Sequence, residues 1–111
     1  MTVTQFAEKY GIKAIAVESG DREITGGYVG DLLSWVMGRA SSGDVWITIM
    51  SNINIAAVAA LTDVACIVLA EDVQPDEKVV AVAKDKGINL LASERNAFEL
   101  AGLLYGELNA Q

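Results

Sequence analysis

The chain has no histidine, one cysteine, one proline and only eight basic residues against fifteen acidic ones in 111. Without histidine there is neither an imidazole base nor an imidazole metal ligand, which closes the commonest routes to proton-transfer and zinc chemistry. The lone Cys66 lies inside the apolar run VACIVLA and has no partner within the chain, so it reads as a buried strand residue. The basic residues are scattered and the net charge is −7, which argues against nucleic acid as a partner. No apolar run reaches the roughly 18 residues of a membrane span. The N-terminus MTVTQFAEKYG also lacks the basic-then-apolar order of a secretion signal. These shortages lead us to expect a cytoplasmic protein that does not engage membranes.

What remains is rich in core material. Hydrophobic residues make up 52% of the chain, enough for one packed domain over residues 1–111. A helix is expected over Val3–Tyr10, capped by Thr2 or Thr4 and ended by Gly11. IKAIAV (12–17) reads as a buried strand and ESGDREITGGYVG as a long polar loop. A helix is expected over Asp31–Arg39, with Asp31 at its cap. Three further strand runs, VWITIM, ACIVLA and INLLA, are each followed by a helix at a spacing of about 22 residues. The first of those helices, after SNIN, is apolar nearly all round and reads as buried on more than one side. Strand–helix alternation of this kind predicts βαβ units and parallel strands. The expected fold is a three-layer α/β/α sandwich on a mostly parallel sheet of four or five strands.

In such sheets ligands collect beyond the carboxyl ends of the strands. The polar groups expected there are Arg22, Thr25, Thr48, Ser51, Asn52, Asn54 and Arg95, whereas Lys13 and Arg39 are expected at the opposite end. We single out Arg22, Thr25, Gly26, Gly27, Thr48 and Asn52 as a ligand-binding set. The paired glycines allow positive φ or close approach, and arginine with hydroxyls suits an anion such as a nucleotide phosphate. The catalytic inventory is poor: GGYVGD lacks the lysine and hydroxyl of a P-loop, and no serine or cysteine has an evident base. Glu71, Asp72, Asp76 and Glu77 read as a solvated loop with a capping aspartate rather than a metal site. Neither catalytic residue, metal nor cofactor is expected.

DREITGGYVGDLLSWVM, VWITIMSNINIAAVAAL and AFELAGLLY, in that order, resemble the DRTGG domain family. Its D-R-x-x-T-G-G-like signature falls here on Asp21, Arg22, Thr25, Gly26 and Gly27, and the similarity runs from about Ile12 to Tyr105. Such domains occur alone, between the CBS domains of regulated pyrophosphatases, and in phosphotransacetylase-type proteins. They are similar to the N-terminal domain of HPr kinase/phosphorylase, whose kinase chemistry resides in another domain, and in fold to the N-terminal domain of Mur ligases. The resemblance implies an α/β fold, a tendency to dimerise and a regulatory or interaction role. Trp35, Trp46, Met37, Met50 and Tyr28 are more apolar bulk than so small an interior can hold, which also points to an interface. We therefore expect a non-catalytic homodimer that regulates or meets a protein partner. The alternative is a sensor of an adenine nucleotide or other anion at the DREITGG loop.

Overall fold

The computed structural model describes residues 1–110. Among them the chain forms α1 (Val3–Tyr10), β1 (Lys13–Ala16), β2 (Gly26–Val29), α2 (Leu33–Arg39) and β3 (Asp44–Thr48). It continues with α3 (Asn54–Thr62), β4 (Cys66–Leu69), α4 (Glu77–Lys86), β5 (Leu90–Ala92) and α5 (Ala97–Leu108). The helix ends follow local chemistry. Thr2 and Gln5 form a reciprocal capping box on α1, Asp76 accepts from Val79 N at α4, and Asn96 and Glu99 form a second box on α5. Gly11 and Gly87 end α1 and α4 at φ 63° and 68°, where a side chain would be strained.

The five strands form one sheet in the order β1-β5-β4-β3-β2. β2, β3, β4 and β5 are parallel, with Tyr28 beside Trp46, Trp46 beside Ile67 and Ile67 beside Leu90. The sandwich is three-layered, as the βα alternation predicts. Val45, Ile47, Cys66, Val68 and Leu91 face Phe6 of α1 and Leu100 and Leu104 of α5. Trp46, Ile67, Leu69 and Leu90 face Val36, Ile55, Val58, Val79 and Ala83 of α2, α3 and α4. β3 and β4 are buried at every position, the continuous apolar pattern of strands covered on both faces.

Several local expectations change. β1 is an outer edge strand, antiparallel to β5 (Lys13 beside Ala92), and its Lys13 and Ala14 are exposed. No helix separates it from the next strand, so nothing imposes a parallel crossover. GGYV, expected as loop, is the opposite edge strand β2. α2 begins at Leu33 with no side-chain cap. Asp31 instead accepts from Thr48 Oγ1 (2.8 Å) and Ile49 N (2.9 Å), tying the end of β2 to the end of β3. α3 is buried on one face only, through Ile55, Ala56, Val58 and Ala59, while Ile53 and Leu61 stay open to solvent. No described helix is long and apolar enough to cross a membrane.

Candidate functional site

The six residues expected to hold a ligand fall at two ends of the sheet. Arg22, Thr25, Gly26 and Gly27 lie at the amino edge of the parallel strands, because Gly26 pairs with Asp44, the first residue of β3. Thr48 closes β3 and Asn52 follows it, at the carboxyl edge. The length of β3, about 13 Å at 3.3 Å per residue, separates the groups. No small anion touches both.

At the amino edge the DREITGG residues tie loops together. Arg22 Nη1 donates to Asp63 Oδ1 (3.1 Å), and Nη2 donates to Asp63 Oδ2 (3.1 Å), the Asp63 carbonyl (2.9 Å) and Ser42 Oγ (3.2 Å). Ser42 Oγ in turn donates to Asp63 Oδ2 at 2.6 Å. The Arg22 guanidinium and then the Ser42 hydroxyl hold the Asp63 carboxyl below its ordinary range. Asp63 ends α3 in the left-handed region, and its carbonyl also accepts from Gly43 N (3.0 Å). Gly43 sits at φ 86°, where a Cβ would stand 2.1 Å from Thr25 Oγ1. Gly26 and Gly27 do not use positive φ; they are close-approach positions. A Cβ on Gly26 would meet Asp44 Oδ1 at 2.5 Å, and one on Gly27 would meet Leu104 Cδ2 at 2.4 Å. Buried Asn89, which the sequence did not single out, completes the knot: its amide donates to Ser19 O (2.8 Å) and Ala65 O (3.0 Å) and accepts from Ser19 N.

Thr48 is buried, and its hydroxyl donates to Asp31 and accepts from Met50 N (3.1 Å). Asn52 Oδ1 accepts from Asn54 N at 2.9 Å, a local turn bond that fixes the entry to α3.

The carboxyl edge holds a more open feature, a cleft of about 610 Å³ between β1, β5 and the loop after β4. Its wall includes Lys13, Asp72, Gln74, Ser93, Glu94 and Arg95. Lys13, expected at the other end, is here because β1 runs antiparallel to the rest. Glu71 and Asp72 both adopt left-handed backbone (φ 59° and 60°), which aims their N–H groups at Arg95 O (2.8 Å) and Ser93 O (2.9 Å). Arg95 Nη1 donates to Tyr10 O at 2.5 Å. Among the described residues no three His, Cys, Asp or Glu side chains gather as a metal site. Cys66 is fully buried, and desolvation pushes its thiol up to about 12, so it is no nucleophile at neutral pH.

A third feature is apolar. On α5, Phe98 and Tyr105 are 87% and 70% exposed. They share the outer face of the helix with the exposed Gly102 and Gly106, whose missing Cβ atoms would touch nothing within 4 Å. Beside this face runs the unpaired edge of β2, with Val29 exposed and a shallow groove of about 140 Å³ over Gly27, Val29 and Ala101.

These features define a small α/β domain with one run of parallel βα units, whose DREITGG stretch lies at the amino edge and which carries a cleft of about 610 Å³ at the carboxyl edge. The chain belongs to the DRTGG domain family, whose model matches residues 31–106. That match starts after the DREITGG loop and takes in β3, β4 and β5 with their helices. A similar solved structure is that of the CBS and DRTGG domains of the regulatory region of Clostridium perfringens pyrophosphatase, complexed with the activator diadenosine tetraphosphate. It superposes with a TM-score of 0.73 at 14% identity, over 93% of this chain and 45% of that one. The likeness is one of fold, and this chain spans less than half the length of that neighbour. No curated protein matches the chain.

Proposed function

We propose that this chain is a non-catalytic regulatory and interaction module that acts as a homodimer through the outer face of α5 and the adjoining edge of β2. The observation that carries this reading is the pairing of exposed Phe98 and Tyr105 with Gly102 and Gly106 on one helix face. Glycine inside a helix costs about 1 kcal/mol relative to alanine, and nothing among the described residues needs the space those two glycines leave. An aromatic ridge beside a glycine groove is self-complementary, as a two-fold interface requires. The absence of histidine and the inert Cys66 thiol support the non-catalytic part. A regulated protein partner would take the other apolar surface, where Leu32, Trp35 and Leu61 are exposed. In sedimentation at tens of micromolar the wild type is expected as a dimer and Phe98→Glu as a folded monomer. A monomeric wild type ends this reading.

The second reading is a sensor for an adenine nucleotide or other anion. It is supported by the fold neighbour, whose regulatory region is complexed with diadenosine tetraphosphate. At the DREITGG loop such a ligand would compete with Asp63 for Arg22, since both terminal nitrogens of that guanidinium are already paired.

A further inference from the structure

The carboxyl-edge cleft offers what the DREITGG loop does not, namely cations without carboxylate partners. Neither Lys13 nor Arg95 has a carboxylate within 4 Å among the described residues, although Asp72 and Glu94 share the same wall. The bond from Nη1 to Tyr10 O holds the Arg95 guanidinium in place and leaves Nε and Nη2 without an acceptor among the described residues. A planar donor fixed in this way loses little freedom when it meets an oxyanion. Ser93 Oγ accepts from Arg95 N at 3.1 Å and keeps its own proton to donate.

The opposite wall has the complementary chemistry. Gln74 Nε2 donates to Asp72 Oδ1 (3.0 Å) and to Asp72 O (3.1 Å), which leaves the Gln74 carbonyl oxygen and one Asp72 oxygen as acceptors. The floor between the two walls is stiff, because the left-handed Glu71–Asp72 pair bonds the loop after β4 to the loop after β5. Two consecutive non-glycine residues in that region carry backbone strain of order 1 kcal/mol each, of the kind that concentrates at binding places. Position agrees as well. The chain leaving β4 goes to α4 on one face of the sheet and the chain leaving β5 goes to α5 on the other, and such a divergence opens the crevice in which α/β sheets bind ligands. A volume of about 610 Å³ suits a small molecule.

We infer that this cleft binds a phosphorylated small molecule of the nucleotide class, with Lys13 and Arg95 on the phosphate and Asp72, Gln74 and Glu94 accepting from hydroxyl or amino groups. The inference rests on the sensor reading but moves its site to the opposite end of the sheet from Arg22, and it does not depend on the dimer.

The test is isothermal titration of the full chain with AMP, ADP, ATP and inorganic phosphate, for wild type, Lys13→Gln, Arg95→Gln and Arg22→Ala. Nucleotides are expected to bind more tightly than phosphate. Lys13→Gln and Arg95→Gln are expected to weaken them tenfold or more, and Arg22→Ala to leave them within twofold. Lys13 makes no side-chain hydrogen bond to the described residues, so Lys13→Gln decides the matter even if Arg95→Gln, cut from Tyr10, folds poorly. Binding lost in Arg22→Ala and kept in Lys13→Gln overturns the cleft and returns the site to the amino edge. No binding by any probe at millimolar concentration overturns the cleft together with the sensor reading.

Discussion

Arg22 shows how one candidate binding residue can be spoken for by the fold itself. Its pair with Asp63 is solvent-exposed, so its contribution is screened and depends on both charges being present. Because the folded carboxyl of Asp63 titrates below its ordinary value near 3.8, the stability it contributes is full above that value and is lost as pH falls through the lower folded one. Arg22→Ala is accordingly expected to lower the Tm at pH 7, and the gap from wild type should close towards pH 3. Differential scanning fluorimetry across that range reads the result, and a gap that stays constant with pH refutes the assignment to Asp63. Residues of this kind were hard to read in the sequence because their partners are remote: Arg22 meets Asp63 41 positions on, and Asp31 meets Thr48 17 positions on. The caps at Thr2 and Asp76 were legible because their partners are three residues away, whereas Asp31, expected as a cap, turned to partners far along the chain. The candidate set split for the same reason. Residue types indicate what each side chain can bind, but not which edge of the sheet will carry it.

Among the elements, those built on long apolar runs were legible, and the departures lie at the two sheet edges. β2 escaped notice because GGYV opens with two glycines, which carry little strand propensity. It is a strand because it pairs with β3 from Gly26 to Val29, and its two glycines let Asp44 and Leu104 of α5 approach closely. β1 was legible as a strand but not as an edge, since Ile12 and Ala16 are buried while the residues between them are not. α5 leads to a prediction of its own. A Cβ at position 102 meets none of the described residues, so Gly102→Ala should stabilise the isolated subunit by about 1 kcal/mol through helix propensity. It should also weaken the dimer by filling the groove that Tyr105 of a second copy would occupy. Urea midpoints at dilute concentration and sedimentation at high concentration are expected to move in opposite senses. If both improve, the interface is not on this face.

Over the whole molecule, one buried thiol reports on the integrity of both layers, since Cys66 sits in β4 at the centre of the sheet with no exposed surface. Alkylation at pH 8 should proceed only through opening of the entire domain, slower than in urea-unfolded chain by roughly 10³-fold or more. Rapid labelling of the native protein, followed by mass spectrometry, would show that β4 opens locally. The sheet order bears on how the chain is made. β2, β3, β4 and β5 each emerge beside the neighbour just completed, so that part of the sheet can grow strand by strand during synthesis. β1 is different: it pairs with β5, and Lys13 must wait for Ala92. Of the five strands, the earliest in the sequence is thus the last to be paired, and until β5 exists its free edge is a surface for chaperones to guard.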